Sequence, residues 1–420
     1  MREQETDFMN IDELIRKAEE GLGGVFAEAD RIEKLRTAEI LDAFRKYEVS
    51  YRHFSPTTGY GYDDVGRDTL EKIFAELFGT EDAIVRPQIA SGTHALSLCL
   101  FGLTKPGSHI VSATGMPYDT LHGIIGIGDD QTPGSLKQMG VTFEAIPLKD
   151  GKIDLQAVER AITPETDLVI AQRSRGYDWR PSLQPEEFAP LAEMLREKHP
   201  GVTLMVDNCY GEFVREKEPT HYGAHVCVGS MIKNPGGGIA PNGGYIVGTH
   251  DAVERISWRL TAPGVGKEIG SYAASYQPFY QGLFMAPHTV NQALKTAMLA
   301  AAVFEDLGME ATPASTEKRA DIIQAIRMET PERLVAFCQG IQAASPVDSM
   351  ALPEPWAMPG YSDPVVMAAG TFVSGASVEL SADAPMREPF NVYMQGGLTY
   401  VHGQIAIREA LKRMTEKGAI

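Results

Sequence analysis

The chain places a lysine between an apolar run and a glycine-rich turn. Lys233 follows the apolar segment 226–229, and Gly236, Gly237 and Gly238 come shortly after it. Asp207 ends another apolar run about two dozen residues earlier. An amine becomes nucleophilic when it is deprotonated, and burial or a cationic neighbour lowers the pKa of a lysine toward that state. Taken singly, Lys233 would be an exposed loop lysine and Asp207 a helix cap, because charged side chains are mostly solvated.

A third group of residues upstream changes that interpretation. Ser91, Gly92 and Thr93 lie between an apolar run at 83–85 and an apolar helical pattern. Free backbone N–H groups at a helix start, together with the helix dipole, favour a phosphate. Ser230, three residues before Lys233, offers another hydroxyl. A phosphate cradle, then a carboxylate, then an amine are the groups that a pyridoxal phosphate enzyme needs.

These residues predict separate roles around pyridoxal 5'-phosphate. Lys233 would form the imine with the cofactor aldehyde, and the Asp207 carboxylate would keep the pyridine nitrogen protonated. Ser91, Gly92, Thr93 and Ser230 would hold the phosphate.

Several longer motifs resemble those of one family. The chain resembles the fold type I pyridoxal phosphate enzymes, and among them the methionine gamma-lyase-like or aluminium resistance proteins, which are related to the cystathionine lyases. The resemblance rests on Thr58-Gly59-Tyr60-Gly61-Tyr62-Asp63-Asp64, Gly66-Arg67-Asp68, Gly92-Thr93-His94, Pro117-Tyr118-Asp119-Thr120-Leu121, Gln172-Arg173-Ser174-Arg175-Gly176-Tyr177, Asp207-Asn208-Cys209-Tyr210-Gly211-Glu212 and Gln395-Gly396-Gly397-Leu398.

The resemblance implies one activity but leaves other uses of the same cofactor open. It implies a carbon–sulfur lyase of the methionine gamma-lyase or cystathionine lyase type, which eliminates a thiol from a sulfur-containing amino acid. The products would be a keto acid, ammonia and the thiol. Aldol cleavage, transamination or a non-catalytic, regulatory use of the cofactor would need the same cofactor residues. The chain departs from the pattern of the cystathionine lyases at Ile232, because those enzymes usually carry threonine just before the lysine.

The resemblance also suggests roles for further side chains. Tyr118 would stack on the cofactor ring and act as an acid. Tyr60 or Tyr62 would reach across a homodimer or homotetramer to the phosphate of a neighbouring subunit, so that the sites are shared. For the amino acid substrate, we expect Arg387 of the smaller domain to bind the α-carboxylate, because its planar fork suits that group.

Two more substrate-binding candidates follow a predicted strand. Gln172 and Arg173 lie where the apolar run 168–171 ends, and Arg173 could bind a phosphate or a carboxylate. Groups at the carboxyl ends of parallel strands face the usual ligand site of an α/β sheet.

Apolar runs that alternate with helical segments indicate an α/β fold with a mostly parallel, doubly wound sheet. We expect a helical N-terminal arm at 1–65, a large cofactor-binding domain at 66–285, and a linker helix with a small α+β domain at 286–420. A helix beginning with a capping box of Asp68 and Glu71 is expected before the first strand. The expected strands are 83–85, 110–113, 141–146, 168–171, 202–206, 226–229 and 245–247 in the large domain, and 365–373, 377–380 and 391–394 in the small one.

Composition limits the class of partner. The 420 residues carry a net charge of −18, which disfavours nucleic acid and anionic membranes as partners. The sequence shows no basic and apolar signal segment and no membrane-spanning apolar run, so a cytoplasmic location is expected. Four cysteines without CxxC spacing predict no metal site.

Overall fold

A computed structural model describes residues 10–128, 132–358 and 363–420. The first nine residues of the predicted arm therefore lie outside the described ranges. A seven-stranded sheet forms the centre of the larger domain. Its strands are β1 (Asp82–Arg86), β2 (His109–Ser112), β3 (Thr142–Ala145), β4 (Thr166–Gln172), β5 (Thr203–Asp207), β6 (Val226–Ser230) and β7 (Gly244–Gly248).

The strand order in this sheet is β1-β7-β6-β5-β4-β2-β3. Neighbours pair in parallel from β6 to β3, and only β7 runs antiparallel to β6 and β1. The predicted mostly parallel sheet is confirmed. The carboxyl ends of β4, β5 and β6 therefore meet at one edge, which brings Gln172, Asp207 and Ser230 together.

Helices cover both faces of this sheet. Those of the larger domain are α3 (Val65–Leu77), α4 (Gly92–Leu103), α5 (His122–Ile125), α6 (Leu155–Ala161), α7 (Ala189–Lys198) and α8 (His250–Leu260). Successive strand residues enter opposite cores, as the period of two requires: Ile110 belongs to the core under α4 and α8, and Val111 to the core on the other face. Strands buried on both faces are apolar along their length, which is why the sequence revealed them.

The expected start of α3 is wrong. Its N-cap is Asp64, whose side chain accepts a hydrogen bond from the backbone N–H of Arg67 at 3.0 Å. Asp68 instead pairs with the Arg67 guanidinium at 2.7 Å, so it does not cap the helix.

A second sheet builds the smaller domain. The chain reaches it through α9 (Gln277–Asp306), which begins nine residues before position 286, where the linker helix was expected to begin. The remaining elements are β8 (Ala311–Thr312), β9 (Ile323–Arg327), α10 (Pro331–Ala343), β10 (Val365–Ala368), β11 (Ser381–Pro385), β12 (Asn391–Gln395) and α11 (Tyr400–Glu416). The five strands are antiparallel in the order β10-β11-β12-β9-β8.

Two strand predictions in this domain need correction. The run 377–380 is not a strand, and the strand follows it at Ser381–Pro385. The predicted strand 365–373 ends at Ala368. The first error arises because Val378 and Leu380 are buried and alternate with polar residues, as in a strand. The second arises because Phe372 and Val373 are strand-favouring residues, although Phe372 is 68% exposed in a loop.

The N-terminal segment forms α1 (Ile11–Glu20) and α2 (Gly23–Lys46), which pack along α9. Arg36 of α2 is buried and lies beside the Glu218 carboxylate of the larger domain. The two helices are thus part of the packed structure. No helix within the described ranges is long and apolar enough to cross a membrane.

Candidate active site

A cavity of about 200 Å³ lies between the two sheets. One wall is the edge where the parallel strands end, and the other comes from β9, β11 and β12. The lining includes most of the side chains predicted for the cofactor and its chemistry, namely Ser91, Gly92, Thr93, Tyr118, Gln172, Asp207, Ser230 and Lys233.

Lys233 lies at the floor of this cavity, where a short 3-10 turn, Asn234–Gly236, begins. Its Nζ lies 4.1 Å from the centre of the Tyr210 ring, a cation–π contact. Burial lowers the pKa of the Lys233 amine, but the surrounding acidic groups, chiefly Cys209, Tyr210 and Asp207, raise this pKa by more, so the net shift is upward. The expected lowering of the Lys233 pKa is therefore wrong for the protein alone. The walls that bury the amine also carry acidic groups, and these favour its protonated form.

The glycines after Lys233 pack tightly against α9. A Cβ on Gly237 would collide with the carbonyl oxygen of Gly282 in that helix, and a Cβ on Gly282 would collide with Gly236. Gly237 also has a φ of +55°, which favours glycine. These glycines let the backbone of the turn approach the backbone of α9 closely, and this packing holds the lysine-bearing turn in place.

Asp207 ends β5 and lies half-buried in the cavity wall beside Lys233. Its Oδ1 accepts a hydrogen bond from the backbone N–H of Cys209 at 3.1 Å. Burial raises the pKa of this carboxyl, and the Lys233 charge partly offsets that effect. A half-buried carboxylate of this kind gains from a cationic partner such as a pyridinium N–H.

The predicted phosphate cradle lies at the start of α4. Ser91 caps this helix by accepting from the backbone N–H of His94 at 3.0 Å. A Cβ on Gly92 would lie 3.3 Å from the Cβ of Ser230, so a larger residue would crowd this space. The Ser230 hydroxyl is buried and has no hydrogen-bond partner within the described residues. An unsatisfied hydroxyl beside a helix N-terminus fits a phosphate, so the residues present suit pyridoxal 5'-phosphate.

Tyr118 and Gln172 share one wall. The backbone N–H of Tyr118 donates to Gln172 Oε1 at 2.9 Å, and the Tyr118 ring meets the Tyr177 ring edge to face at 5.6 Å. Gln172 therefore orients the segment that carries Tyr118, in addition to facing the cavity.

Arg173 does not line the cavity. Its guanidinium is fully buried, where it donates to Asn208 Oδ1 at 2.8 Å and to Glu218 Oε2 at 3.1 Å. These contacts tie the ends of β4 and β5 to the loop before β6. The structure thus gives Arg173 a supporting position behind the site.

Arg387 and the two tyrosines also lie outside the cavity lining. Arg387 is exposed, pairs with Asp363 at 3.2 Å and donates to the carbonyl of Tyr177 at 2.8 Å. Tyr60 and Tyr62 are 68% and 62% exposed, with ring centres 5.5 Å apart. The carbonyl oxygen of Gly61, between them, accepts a hydrogen bond from the Arg67 guanidinium at 2.7 Å, which anchors the loop.

The structure adds cavity residues that the sequence analysis did not select. Tyr210 lies under the lysine and has a φ of +72°, an uncommon conformation for a bulky residue. From the smaller domain come Tyr393, Gln395 and Asp383. The Asp207–Glu212 motif contains Tyr210, but nothing in its spacing shows the ring's contact with Lys233.

Behind the cavity, Glu212 occupies a buried polar position. Its Oε1 accepts a hydrogen bond from the Tyr245 hydroxyl at 2.8 Å. Burial raises the pKa of its carboxyl to about 8. The group is therefore largely protonated near neutral pH.

The family model for methionine gamma-lyase matches residues 11–415. The chain belongs to the methionine gamma-lyase family. The resemblance noted in the sequence is confirmed, and so is the fold type I architecture.

Close relatives of this family member cover nearly the whole chain. The uncharacterized protein YnbB of Bacillus subtilis is 47% identical, over 99% of this chain and all of its own. A Clostridium acetobutylicum structure, named as a candidate cystathionine beta-lyase involved in aluminum resistance, is 45% identical with a TM-score of 0.93, covering 97% of this chain and 96% of its own. A structure named as a carbon-sulfur lyase involved in aluminum resistance, from Clostridium novyi NT, is 44% identical with a TM-score of 0.92 and covers 96% of each chain.

Proposed function

We propose that the protein is a pyridoxal 5'-phosphate-dependent carbon–sulfur lyase that acts on a sulfur-containing amino acid. The elimination would be of the methionine gamma-lyase or cystathionine lyase type, giving a keto acid, ammonia and a thiol. The observation that carries this proposal is one cavity that holds Lys233, Asp207 and the Ser230 hydroxyl, which has no hydrogen-bond partner among the described residues. The names of the close relatives support the same reaction class.

The cofactor, when bound, supplies an electron sink for charge that develops at the substrate α-carbon. Ser91, Gly92, Thr93 and Ser230 would hold its phosphate through hydroxyl and backbone N–H groups. Asp207 would keep a proton on the pyridine nitrogen, since its half-buried carboxylate has an energetic preference for a cation.

Lys233 would attach the cofactor and then move a proton at the substrate α-carbon. Its turn packs closely against α9, which fixes the backbone from which the amine extends. Tyr118 would cover the cofactor ring and supply a proton to the leaving thiolate. Elimination at the β-carbon and at the γ-carbon both use these groups.

For the substrate α-carboxylate, Arg387 remains our proposed partner. The Nη2 of Arg387 donates a hydrogen bond to the backbone carbonyl of Tyr177, and the Tyr177 ring lines the cavity. Arg387 therefore lies just behind this part of the cavity wall. It would have to exchange the ion pair with Asp363 for the substrate.

The active unit is proposed to be a homodimer or homotetramer with shared sites. Tyr60 and Tyr62 form an exposed aromatic pair on an anchored loop, and such a pair is suited to a protein contact. One of them would reach the phosphate held by the neighbouring subunit.

The first test is the attachment of the cofactor. Protein incubated with pyridoxal 5'-phosphate should absorb in the visible range and, after borohydride reduction, carry the added mass on the Lys233 peptide. Lys233→Ala should lose both signals, whereas Lys295→Ala, which changes a half-buried lysine of α9, should keep them. Labelling of another lysine would contradict the assignment.

The second part of that test is the reaction. L-methionine, L-cystathionine and S-alkyl cysteines should release keto acid and thiol in equal amounts, and Lys233→Ala should release neither. A cofactor on Lys233 without thiol release from any of them would favour aldol cleavage, transamination or a regulatory role instead.

A further inference from the structure

A second cavity, of about 250 Å³, lies where α2 meets α9. Residues 214–215, which follow the loop that carries Tyr210, and residues 316–319 at the start of the smaller domain complete its walls. This cavity shares no lining residue with the catalytic cavity. None of the roles proposed above for the cofactor or the substrate uses it.

The floor of this second cavity is apolar. Its buried side chains come from α2, α9 and the segment after β5, and they are Ala29, Ile32, Val214, Leu294 and Met298. Removing apolar surface from water is favourable, and ligand pockets are typically apolar with a few polar groups at defined places. The floor therefore suits a hydrocarbon group.

Arg215 is a half-buried cation on the rim of this cavity. Among the residues that the structure describes, its guanidinium forms no salt bridge and no hydrogen bond. Burial lowers the pKa of Arg215, and the charges of Glu186 and Glu28 offset that effect only in part. A cation in this position gains from an anionic partner.

The other charged groups on the rim already have partners. Lys318 pairs with Glu186 at 2.7 Å, and Glu28 pairs with Arg31 at 2.8 Å. Glu317 accepts a hydrogen bond from a backbone N–H at 3.0 Å. Because Glu28 and Glu317 would repel a second negative charge, the rim favours a monoanion over a dianion.

Two buried arginines add positive charge at the inner wall. Arg319 lines the cavity, and within the described ranges its guanidinium donates only to Gln324 Oε1, at 2.6 Å. The guanidinium of Arg175 has no hydrogen-bond partner in the same part of the chain. Burial and the neighbouring Arg175 charge lower the pKa of Arg319 to about 10, although Asp321 acts in the opposite direction. Buried charges are screened less than exposed ones, so both arginines would stabilise an anion in the cavity.

We propose that this cavity binds a monocarboxylate with an apolar tail, at a site separate from the active site. The carboxylate would lie against Arg215, and the tail would occupy the floor between α2 and α9. The bound molecule would contact the N-terminal helices, α9 and the segment after the Tyr210 loop together. The site does not depend on the proposed lyase reaction.

Three probe molecules test the two halves of this site. Hexanoate and hexanamide have the same tail and differ in charge, whereas acetate has the charge without the tail. Calorimetry on the full-length, cofactor-loaded protein should show one hexanoate bound per chain. We expect hexanoate to bind about tenfold or more tightly than either of the other two, and tenfold corresponds to about 1.4 kcal/mol.

Substitutions locate the binding. Arg215→Gln should weaken hexanoate binding to the level of hexanamide and leave hexanamide binding unchanged. Arg196→Gln changes an exposed arginine of α7 and should keep the wild-type affinities. Ala29→Leu fills the floor and should weaken hexanoate binding while the visible absorbance of the cofactor stays the same.

Several results would overturn the proposal. These are no measurable binding of hexanoate, equal binding of hexanoate and hexanamide, or wild-type affinity for hexanoate in Arg215→Gln. Lys233→Ala should bind hexanoate as the wild type does. A loss of binding in that variant would place the carboxylate in the catalytic cavity and would also refute the second site.

Discussion

The buried Glu212 carboxyl predicts a loss of stability as pH rises. Its pKa of about 8 lies well above the ordinary value of 4.5, because burial disfavours the charged form. That difference corresponds to about 5 kcal/mol between the two protonation states. Glu212→Gln keeps an oxygen that can accept the hydrogen bond from Tyr245, but it cannot ionise.

The direction of this change in stability with pH follows from proton binding. Between pH 4.5 and 8, the folded protein holds a proton on Glu212 that the unfolded chain releases, so unfolding becomes easier as pH increases. The contribution is fully present below pH 4.5 and is lost as pH rises through 8. From about pH 5 to about pH 8, this one group should lower the free energy of unfolding by about 3 to 4 kcal/mol.

Urea unfolding of the wild type and of Glu212→Gln at pH 5, 6, 7 and 8, without added cofactor, measures this change in the free energy of unfolding. The wild type should lose more stability over this range than Glu212→Gln, with similar slopes against urea. Glu254→Gln changes an exposed glutamate of α8 and should follow the wild type. Equal losses in the wild type and Glu212→Gln would refute a neutral, buried Glu212.

Two further predictions concern the cofactor site and the assembly. Asp207→Asn should still bind the cofactor, as read by absorbance, but turnover should fall by about a hundredfold or more because an amide does not hold the pyridinium proton; full activity would exclude that role. Mixing Lys233→Ala with a Tyr60→Phe, Tyr62→Phe double variant should restore activity after subunit exchange, because one site of the mixed dimer regains every group. Verified exchange without activity would exclude shared sites.

The larger domain could be predicted well because its strands are buried on both faces. Continuous apolar runs mark such strands, and polar residues that follow them lie at one edge of a parallel sheet. Asp207, Ser230 and Lys233 each end or follow such a run, so the sequence alone indicates that they share a site.

The smaller domain was harder to predict for the opposite reason. β11 has the sequence Ser-Ala-Asp-Ala-Pro, without a β-branched residue, while the segment Ser-Val-Glu-Leu before it alternates like a strand but is a loop. Asp383 therefore gave no signal as a cavity residue. The sequence also does not show in which direction a side chain points. Arg173 lies at the same strand end as Gln172, yet its side chain points away from the cavity toward Asn208 and Glu218.

The backbone contact between the lysine turn and α9 has a mechanical consequence. α9 leads from the larger sheet to the smaller domain, and Gly237 and Gly282 leave no space between that helix and the turn. The backbone of the lysine turn and the start of the interdomain connection are thus packed together as one body. Substitutions on β11 and β12 can reshape the opposite wall without displacing that body, so the family can acquire new substrates while its reaction centre stays where it is.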